Sequence, residues 1–150
     1  MKLENQVCNL ELSKKLKELG VKQNFNCGDL CYETIGGRLM LITYERLDIV
    51  FILYFPLQMN LTEDLKMKKN ILKVFTVAEL GEMLPNTIRK NDVDYFLCCY
   101  FTPMRDGRIE FEVSYESCNG KTLAFIIELT EANARAKCLI YLIENKLFKL

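Results

Sequence analysis

The sequence contains no histidine, and this absence excludes more candidate functions than any other feature of the composition. Without histidine the chain cannot form a Ser-His-Asp or Cys-His catalytic site, a zinc site with histidine ligands, or an iron site with two histidines and a carboxylate. It also lacks the side chain that most often changes its charge near neutral pH. We therefore expect no catalytic residues of these classes.

A net charge and a long apolar run are missing as well. Lys and Arg together number 20, as do Asp and Glu, so the formal net charge is zero and gives no overall attraction to nucleic acid. The longest apolar run, Ile49 to Phe55, is too short to span a bilayer. Residues Met1 to Cys8 lack the apolar core of a signal peptide. We therefore expect a cytoplasmic protein with no membrane partner.

The seven cysteines form an odd-numbered set without repeated spacing. Such a set is typical of reduced thiols that pack as small apolar side chains. Cys27 and Cys31, together with Cys98 and Cys99, offer four thiolates for a metal ion. Adjacent residues of a strand point to opposite faces, however, so Cys98 and Cys99 are poorly placed to bind one ion. We expect no obligatory disulfide, no metal site and no cofactor.

Three stretches have the apolar periodicity and the capping residues of helices. The predicted helices are Leu10–Leu19 after the N-cap Asn9, Val77–Leu84 after Thr76, and Glu131–Leu147 after Thr130. Gly20 can end the first helix in a Schellman motif, and Thr76 with Glu79 forms a capping-box pattern. In the last helix Ala132 and Ala136 are small enough to let the helix approach a sheet closely.

Apolar stretches bounded by turn residues predict the strands Cys31–Ile35, Arg38–Thr43, Ile49–Phe55, Tyr95–Thr102, Ile109–Tyr115 and Thr122–Leu129. Gly36-Gly37 can make a two-residue hairpin turn, which predicts that the first two strands pair with each other. Ile49–Phe55 and Phe96–Phe101 have no polar alternation, so we expect both to be covered on both faces, and the first to be a central strand. The order of helices and strands predicts a single α+β domain over residues 1–150, with a mainly antiparallel sheet and helices packed on it.

In the strand Ile109–Tyr115 apolar residues alternate with Glu110, Glu112, Ser114 and Glu116, which predicts one buried face and one acidic face. The acidic face is suited to bind a cation, to place carboxylates for acid–base chemistry, or to imitate nucleic-acid phosphates. Glutamates in this pattern are more often only the solvated side of a strand. Tyr141 lies opposite the apolar face of the last helix. The candidate interaction surface therefore consists of Glu110, Glu112, Glu116 and Tyr141.

The segments Leu10–Gln23, Phe75–Pro85 and Thr130–Asn145 resemble a group of small phage and prophage proteins. They resemble more weakly the ABA-sandwich domains of phages, in which a sheet lies between helical layers. The resemblance implies an α/β/α sandwich and a bacterial mobile element as the origin, so the protein would work in a bacterial cell or an infected host. It brings no catalytic residues that could be carried over.

The resemblance favours a non-enzymatic accessory protein that acts by protein–protein interaction. Its partner would be a host or phage protein, or a second copy of the chain in a homodimer. The alternative is a small nucleic-acid-binding module that uses the lysines of the first helix, Lys14, Lys15 and Lys17.

Overall fold

The computed structural model describes residues 5–22, 30–33, 39–45, 48–51 and 71–149, which form an α+β structure with antiparallel strand pairing. The chain divides into two compact units. Unit 1 comprises Met1–Val21 and Phe75–Leu150, and unit 2 comprises Lys22–Val74. Along the chain, unit 2 lies between the two parts of unit 1. The single domain over residues 1–150 stays a prediction. Among the described residues no helix combines the length and the apolar content needed to cross a bilayer.

Unit 2 contains a four-stranded antiparallel sheet in the order β3-β2-β1-β4. Its strands are β1 (Leu30–Glu33), β2 (Leu39–Glu45), β3 (Asp48–Phe51) and β4 (Ile71–Lys73). The predicted pairing of the first two strands is confirmed, with Tyr32 opposite Leu39.

The prediction of a central strand at Ile49–Phe55 is wrong for the part that is described, because β3 pairs with β2 and lies at the sheet edge. An apolar run without alternation does not show how many neighbours a strand has. The glycine turn at residues 36 and 37, the remainder of that run and the connection Pro56–Asn70 lie outside the described residues.

Unit 1 begins with helix α1 (Leu10–Glu18), which has both predicted caps. The Asn9 side chain accepts a hydrogen bond from the Leu12 N–H at 2.9 Å. At the other end Gly20 has φ +91°, its N–H donates to the Lys17 carbonyl, and the Val21 N–H donates to the Leu16 carbonyl. These two bonds define a Schellman motif, and glycine is favoured at its left-handed position because it has no Cβ.

Helix α2 (Val77–Met83) begins at the predicted capping box. The Thr76 hydroxyl accepts from the Glu79 N–H at 3.2 Å, and the Glu79 carboxylate accepts from the Thr76 N–H at 2.9 Å. Phe75, just before the N-cap, and Leu80, in the first turn, are both buried, so the start of the helix is part of the core.

The sheet of unit 1 is an antiparallel meander in the order β5-β6-β7-β8. Its strands are β5 (Thr87–Lys90), β6 (Val93–Pro103), β7 (Ile109–Glu116) and β8 (Thr122–Glu128). The sequence predicted the last three and missed β5. The missed signal is the pair Asn91-Asp92, whose φ angles of +51° and +58° make the two-residue turn between β5 and β6. Asn and Asp tolerate such angles better than most other residues with a side chain.

Helix α3 (Glu131–Glu144) has the predicted N-cap, since the Thr130 hydroxyl accepts from the Asn133 N–H at 3.3 Å. It ends earlier than Leu147, because Lys146 has φ +56° and takes the left-handed position of a second Schellman motif. The Leu147 N–H donates to the Leu142 carbonyl at 2.8 Å. Lysine gives no sequence signal for this stop, because glycine is the usual residue there.

Helix α3 is the centre of unit 1, in contact with β7, β8, α1 and α2. Its sheet side carries Tyr141, whose hydroxyl donates to the Leu123 carbonyl of β8 at 3.1 Å, and Cys138, which lies near Tyr115 of β7. Successive helix residues are about 100° apart, so Ala136 lies on the opposite side. The expectation that Ala136 lets the helix approach the sheet is therefore wrong, although Ala136 is fully buried.

Replacing Ala136 with Leu is expected to destabilise the protein by about 1–3 kcal/mol, because the closely packed interior has no space for the larger side chain. Urea unfolding monitored by circular dichroism measures this cost. Ala78→Leu on α2 is the matched control, since Ala78 is exposed and its replacement should change stability by less than about 0.5 kcal/mol. Equal unfolding midpoints for the two variants would contradict the packing of α3.

The meander of unit 1 is covered by helices on one face only, among the residues described. Tyr95, Val113, Tyr115 and Ala124 share the covered face and are buried, whereas Phe96 and Tyr100 lie on the other face and are exposed. Phe101 points to the helix side but lies toward the far end of β6 and is 72% exposed. The expectation that Phe96–Phe101 is covered on both faces is wrong, and the described residues of unit 1 form no second helical layer such as an α/β/α sandwich has.

Candidate interaction surface

The uncovered side of the meander, here called the outer face, is formed by alternate residues of three neighbouring strands. Its members are Phe96, Cys98 and Tyr100 of β6, Glu110, Glu112, Ser114 and Glu116 of β7, and Phe125 and Ile127 of β8. Side chains alternate between the faces of a strand, and the antiparallel register aligns them in rows across the sheet. One such row is Cys98, Ser114 and Phe125, and the next is Tyr100, Glu112 and Ile127.

Large apolar side chains line both sides of the outer face. The exposed fractions are 43% for Phe96 and 50% for Tyr100 on β6, and 56% for Phe125 and 45% for Ile127 on β8. Single exposed apolar residues are ordinary on a protein surface, whereas this face carries two exposed apolar pairs, one on each side of β7. None of these four residues was predicted to belong to an interaction surface, and Phe96 and Tyr100 were expected to be covered.

The central strand of the outer face carries carboxylates instead of apolar groups. The Ser114 hydroxyl donates to Glu116 Oε1 at 2.8 Å, and Glu112 Oε1 lies 3.4 Å from the same hydroxyl oxygen. Ser114 is fully buried and so fixes the two glutamates in one line along β7, with Glu110 next on the same face. No Lys or Arg of the described residues pairs with these three glutamates. Ion pairs with the described residues therefore do not neutralise this acidic row.

The carboxylates also act on the neighbouring tyrosine. A hydrogen bond with the Cys98 side chain is the largest influence that raises the pKa of Tyr100, and the negative charges of Glu116 and Glu112 raise that pKa further. The raised pKa means that Tyr100 keeps its phenol proton to a higher pH than an ordinary tyrosine, and this hydroxyl is able to donate a hydrogen bond to an incoming group.

Tyr141 lies away from the three glutamates with which the sequence analysis grouped it. It is half-buried on α3, on the helix side of the sheet, and its hydroxyl donates to the Leu123 carbonyl at the β8 edge. Glu110, Glu112 and Glu116 share the outer face on the other side. The structure thus brings together three of the four predicted residues.

The lysines of α1 are partly neutralised by carboxylates. Lys14 Nζ lies 3.1 Å from Glu11 Oε1, and Lys15 Nζ lies 2.9 Å from Glu144 Oε1 on α3. In the second pair, the hydrogen bond with Glu144 raises the pKa of Lys15. Ion pairs of exposed side chains contribute little stability, but they reduce the positive charge that α1 could offer to a phosphate backbone.

The cysteines show no metal-binding arrangement in the part of the chain that the structure describes. Cys98 lies on the outer face and Cys99 on the helix side, in agreement with the alternation of strand residues. No three His, Cys, Asp or Glu side chains of the described residues lie close enough to hold a metal ion. Cys8, Cys98, Cys99, Cys118 and Cys138 are free thiols.

Unit 1 is thus an α+β domain with one helix-covered sheet face and one exposed face that is apolar at its sides and acidic along its centre. No family model, curated protein or solved structure matches this chain.

Proposed function

We propose that this chain is a phage or prophage accessory protein that acts by binding another protein through the outer face, and not by catalysis. The exposed apolar group Phe96, Tyr100, Phe125 and Ile127 is the observation that supports binding. Exposed apolar side chains that are grouped on one face of a domain often mark a site of interaction. The mobile-element origin is supported by the resemblance of the three helical segments.

The acidic row indicates the chemistry of the partner. A partner with basic side chains could pair with Glu112 and Glu116, while its apolar side chains cover Phe96 and Phe125 on either side. A second copy docked face to face would bring two acidic rows together, which like-charge repulsion disfavours. The same charge repels phosphate groups, so the row also disfavours nucleic acid as the ligand. We therefore propose a partner protein with a basic and apolar surface.

Reversal of charge on the acidic row tests this proposal. We expect wild-type protein to retain a specific protein from bacterial lysate, and we expect the double variant Glu112→Lys, Glu116→Lys to bind it at least about tenfold more weakly. The reason is that each substitution replaces an attraction to the partner by a repulsion. Affinity capture followed by titration of the purified partner gives both results.

The matched control is the double variant Glu18→Lys, Glu82→Lys, which makes the same change of net charge at exposed positions of α1 and α2. It should bind the partner like wild type. Equal binding by both double variants would contradict the proposed surface. Retardation of DNA or RNA by the wild-type protein at low salt, without any protein partner, would favour the nucleic-acid alternative instead.

A further inference from the structure

The meander of unit 1 has open strand edges, and they differ in how well they are protected. A strand edge presents unpaired N–H and C=O groups, and proteins usually block it with charged residues, proline or short length. The β5 edge has only four residues and carries Arg89 and Lys90. β6 extends past the end of β5, but its open stretch ends at Pro103, which has no N–H. Both edges therefore have a protecting feature.

The β8 edge has neither a basic residue nor a proline along its seven residues, Thr122 to Glu128. Its side chains Phe125 and Ile127 are about half exposed, and the neighbouring Leu129 is 57% exposed. The only charged residue of β8 is Glu128 at its end, and Tyr141 occupies the Leu123 carbonyl near its start. The apolar stretch between them is a site at which another strand adds to a sheet.

The hydrogen-bond pattern shows which backbone groups of β8 are open. The Met104 N–H donates to the Arg108 carbonyl at 2.7 Å, so these two residues form a hydrogen-bonded pair at the start of the β6–β7 ladder. Hydrogen-bonded pairs recur at every second residue of an antiparallel ladder. The even-numbered residues of β7 therefore bond to β6, and the odd-numbered residues bond to β8. In β8 the even-numbered residues return those bonds, so Phe125 and Ile127 direct their N–H and C=O away from β7. No described residue bonds to these groups.

We infer that two copies of this chain join through their β8 edges, in an antiparallel pairing about a two-fold axis that passes between the two Ile126 residues. In this register Phe125 of one copy lies opposite Ile127 of the other, and each such pair exchanges both of its backbone hydrogen bonds. The two four-stranded meanders then form one continuous eight-stranded sheet.

A second copy fits this edge better than a partner of other chemistry, because the edge is complementary to itself. Each residue from Phe125 to Ile127 would face an apolar residue, and Glu128 would face Ala124, so no like charges are opposed. The apolar sides of the two outer faces also become continuous across the junction. The acidic row on β7 stays one strand away from the axis. The inference uses the open backbone groups of β8 and does not require the proposed partner binding, although Phe125 and Ile127 belong to both surfaces.

Light scattering coupled to size-exclusion chromatography measures the predicted assembly. We expect the wild-type protein to have twice the chain mass of 17.5 kDa. Phe125→Pro should halve that mass, because proline removes the outward N–H of Phe125 and no bond to β7. Ile127→Lys should give the same result by placing a charge at the centre of the new contact, and it decides the question if the proline variant does not fold.

The control is Phe96→Lys, which puts the same charge on the outer face of β6, away from the β8 edge. This variant should remain a dimer. A wild-type protein of single chain mass would overturn the inference. A dimer that survives both β8 substitutions, or that Phe96→Lys dissociates, would also overturn it, because the contact would then lie elsewhere.

Discussion

An increase of pH from about 8 to about 11 is expected to lower the free energy of unfolding by about 3 kcal/mol through Cys138 alone, and by more in total, because buried thiol and phenol groups resist ionisation in the folded protein. Burial raises the pKa of Cys138 from 9.0 to about 12, and the neighbouring Cys99 adds to this effect. Burial also raises the pKa of Tyr115 and that of Cys8. All three groups favour the folded state while they are protonated.

The direction of the pH effect follows from the sign of the pKa shift. Below about pH 9 Cys138 is protonated in both the folded and the unfolded chain, so its contribution to stability is fully present. Between about pH 9 and pH 12 the unfolded chain loses this proton and the folded chain keeps it. Stability then falls by about 1.4 kcal/mol per pH unit for each such group.

Urea unfolding at a series of pH values, with reductant present, measures this slope. Cys138→Ala should remove about 1.4 kcal/mol per pH unit of it between about pH 9 and pH 11, whatever that variant does to stability at neutral pH. Cys118→Ala, at an exposed thiol, is the matched control and should keep the wild-type slope. Constant stability up to pH 11 would mean that Cys138 is not buried as described.

The variant Leu139→Ala is expected to cost about 2–5 kcal/mol of stability, because it leaves a cavity in the middle of α3. Leu139 is fully buried, and α3 is in contact with the sheet and with both other helices of unit 1. Because the sheet and two helices surround α3, they cannot all move inward to fill the cavity that Leu139→Ala leaves. We therefore expect a loss of stability in the upper part of this range.

Denaturant unfolding of Leu139→Ala can be compared with that of Leu129→Ala. Leu129 is 57% exposed, so its truncation removes little buried area and should change stability by less than about 0.5 kcal/mol. A cost below about 1 kcal/mol for Leu139→Ala would contradict the central position of α3 in unit 1.

The parts of the fold that could be predicted from the sequence are those fixed by local chemistry. The capping box of Thr76 and Glu79 and the stop at Gly20 each depend on a few neighbouring residues, and both are confirmed. The α+β class followed from the order of such elements. The stop of α3 at Lys146 was missed, because a lysine in the left-handed position is held by the surrounding structure and not by its own preference.

The sequence could not predict which faces of the strands and helices are covered by other elements. The alternation in β7 correctly placed Glu110, Glu112 and Glu116 on one face. It could not show that Phe96 and Tyr100 share that face in the open, because coverage depends on where the helices pack. Tyr141 was placed opposite the core for a related reason, since α3 is buried on most sides and has no single core face.

The division of unit 1 along the chain has a consequence for its synthesis on the ribosome. Helix α1 is made early, but its long-range contacts are with α3, including the bond from the Asn9 N–H to the Asn133 side chain at 2.9 Å. All of unit 2 and the whole meander are translated between them. Until α3 has been synthesised, α1 cannot make its native contacts with α3, and Leu16, which is buried in the folded protein, stays exposed to solvent. Unit 1 therefore becomes native only after α3 has left the ribosome.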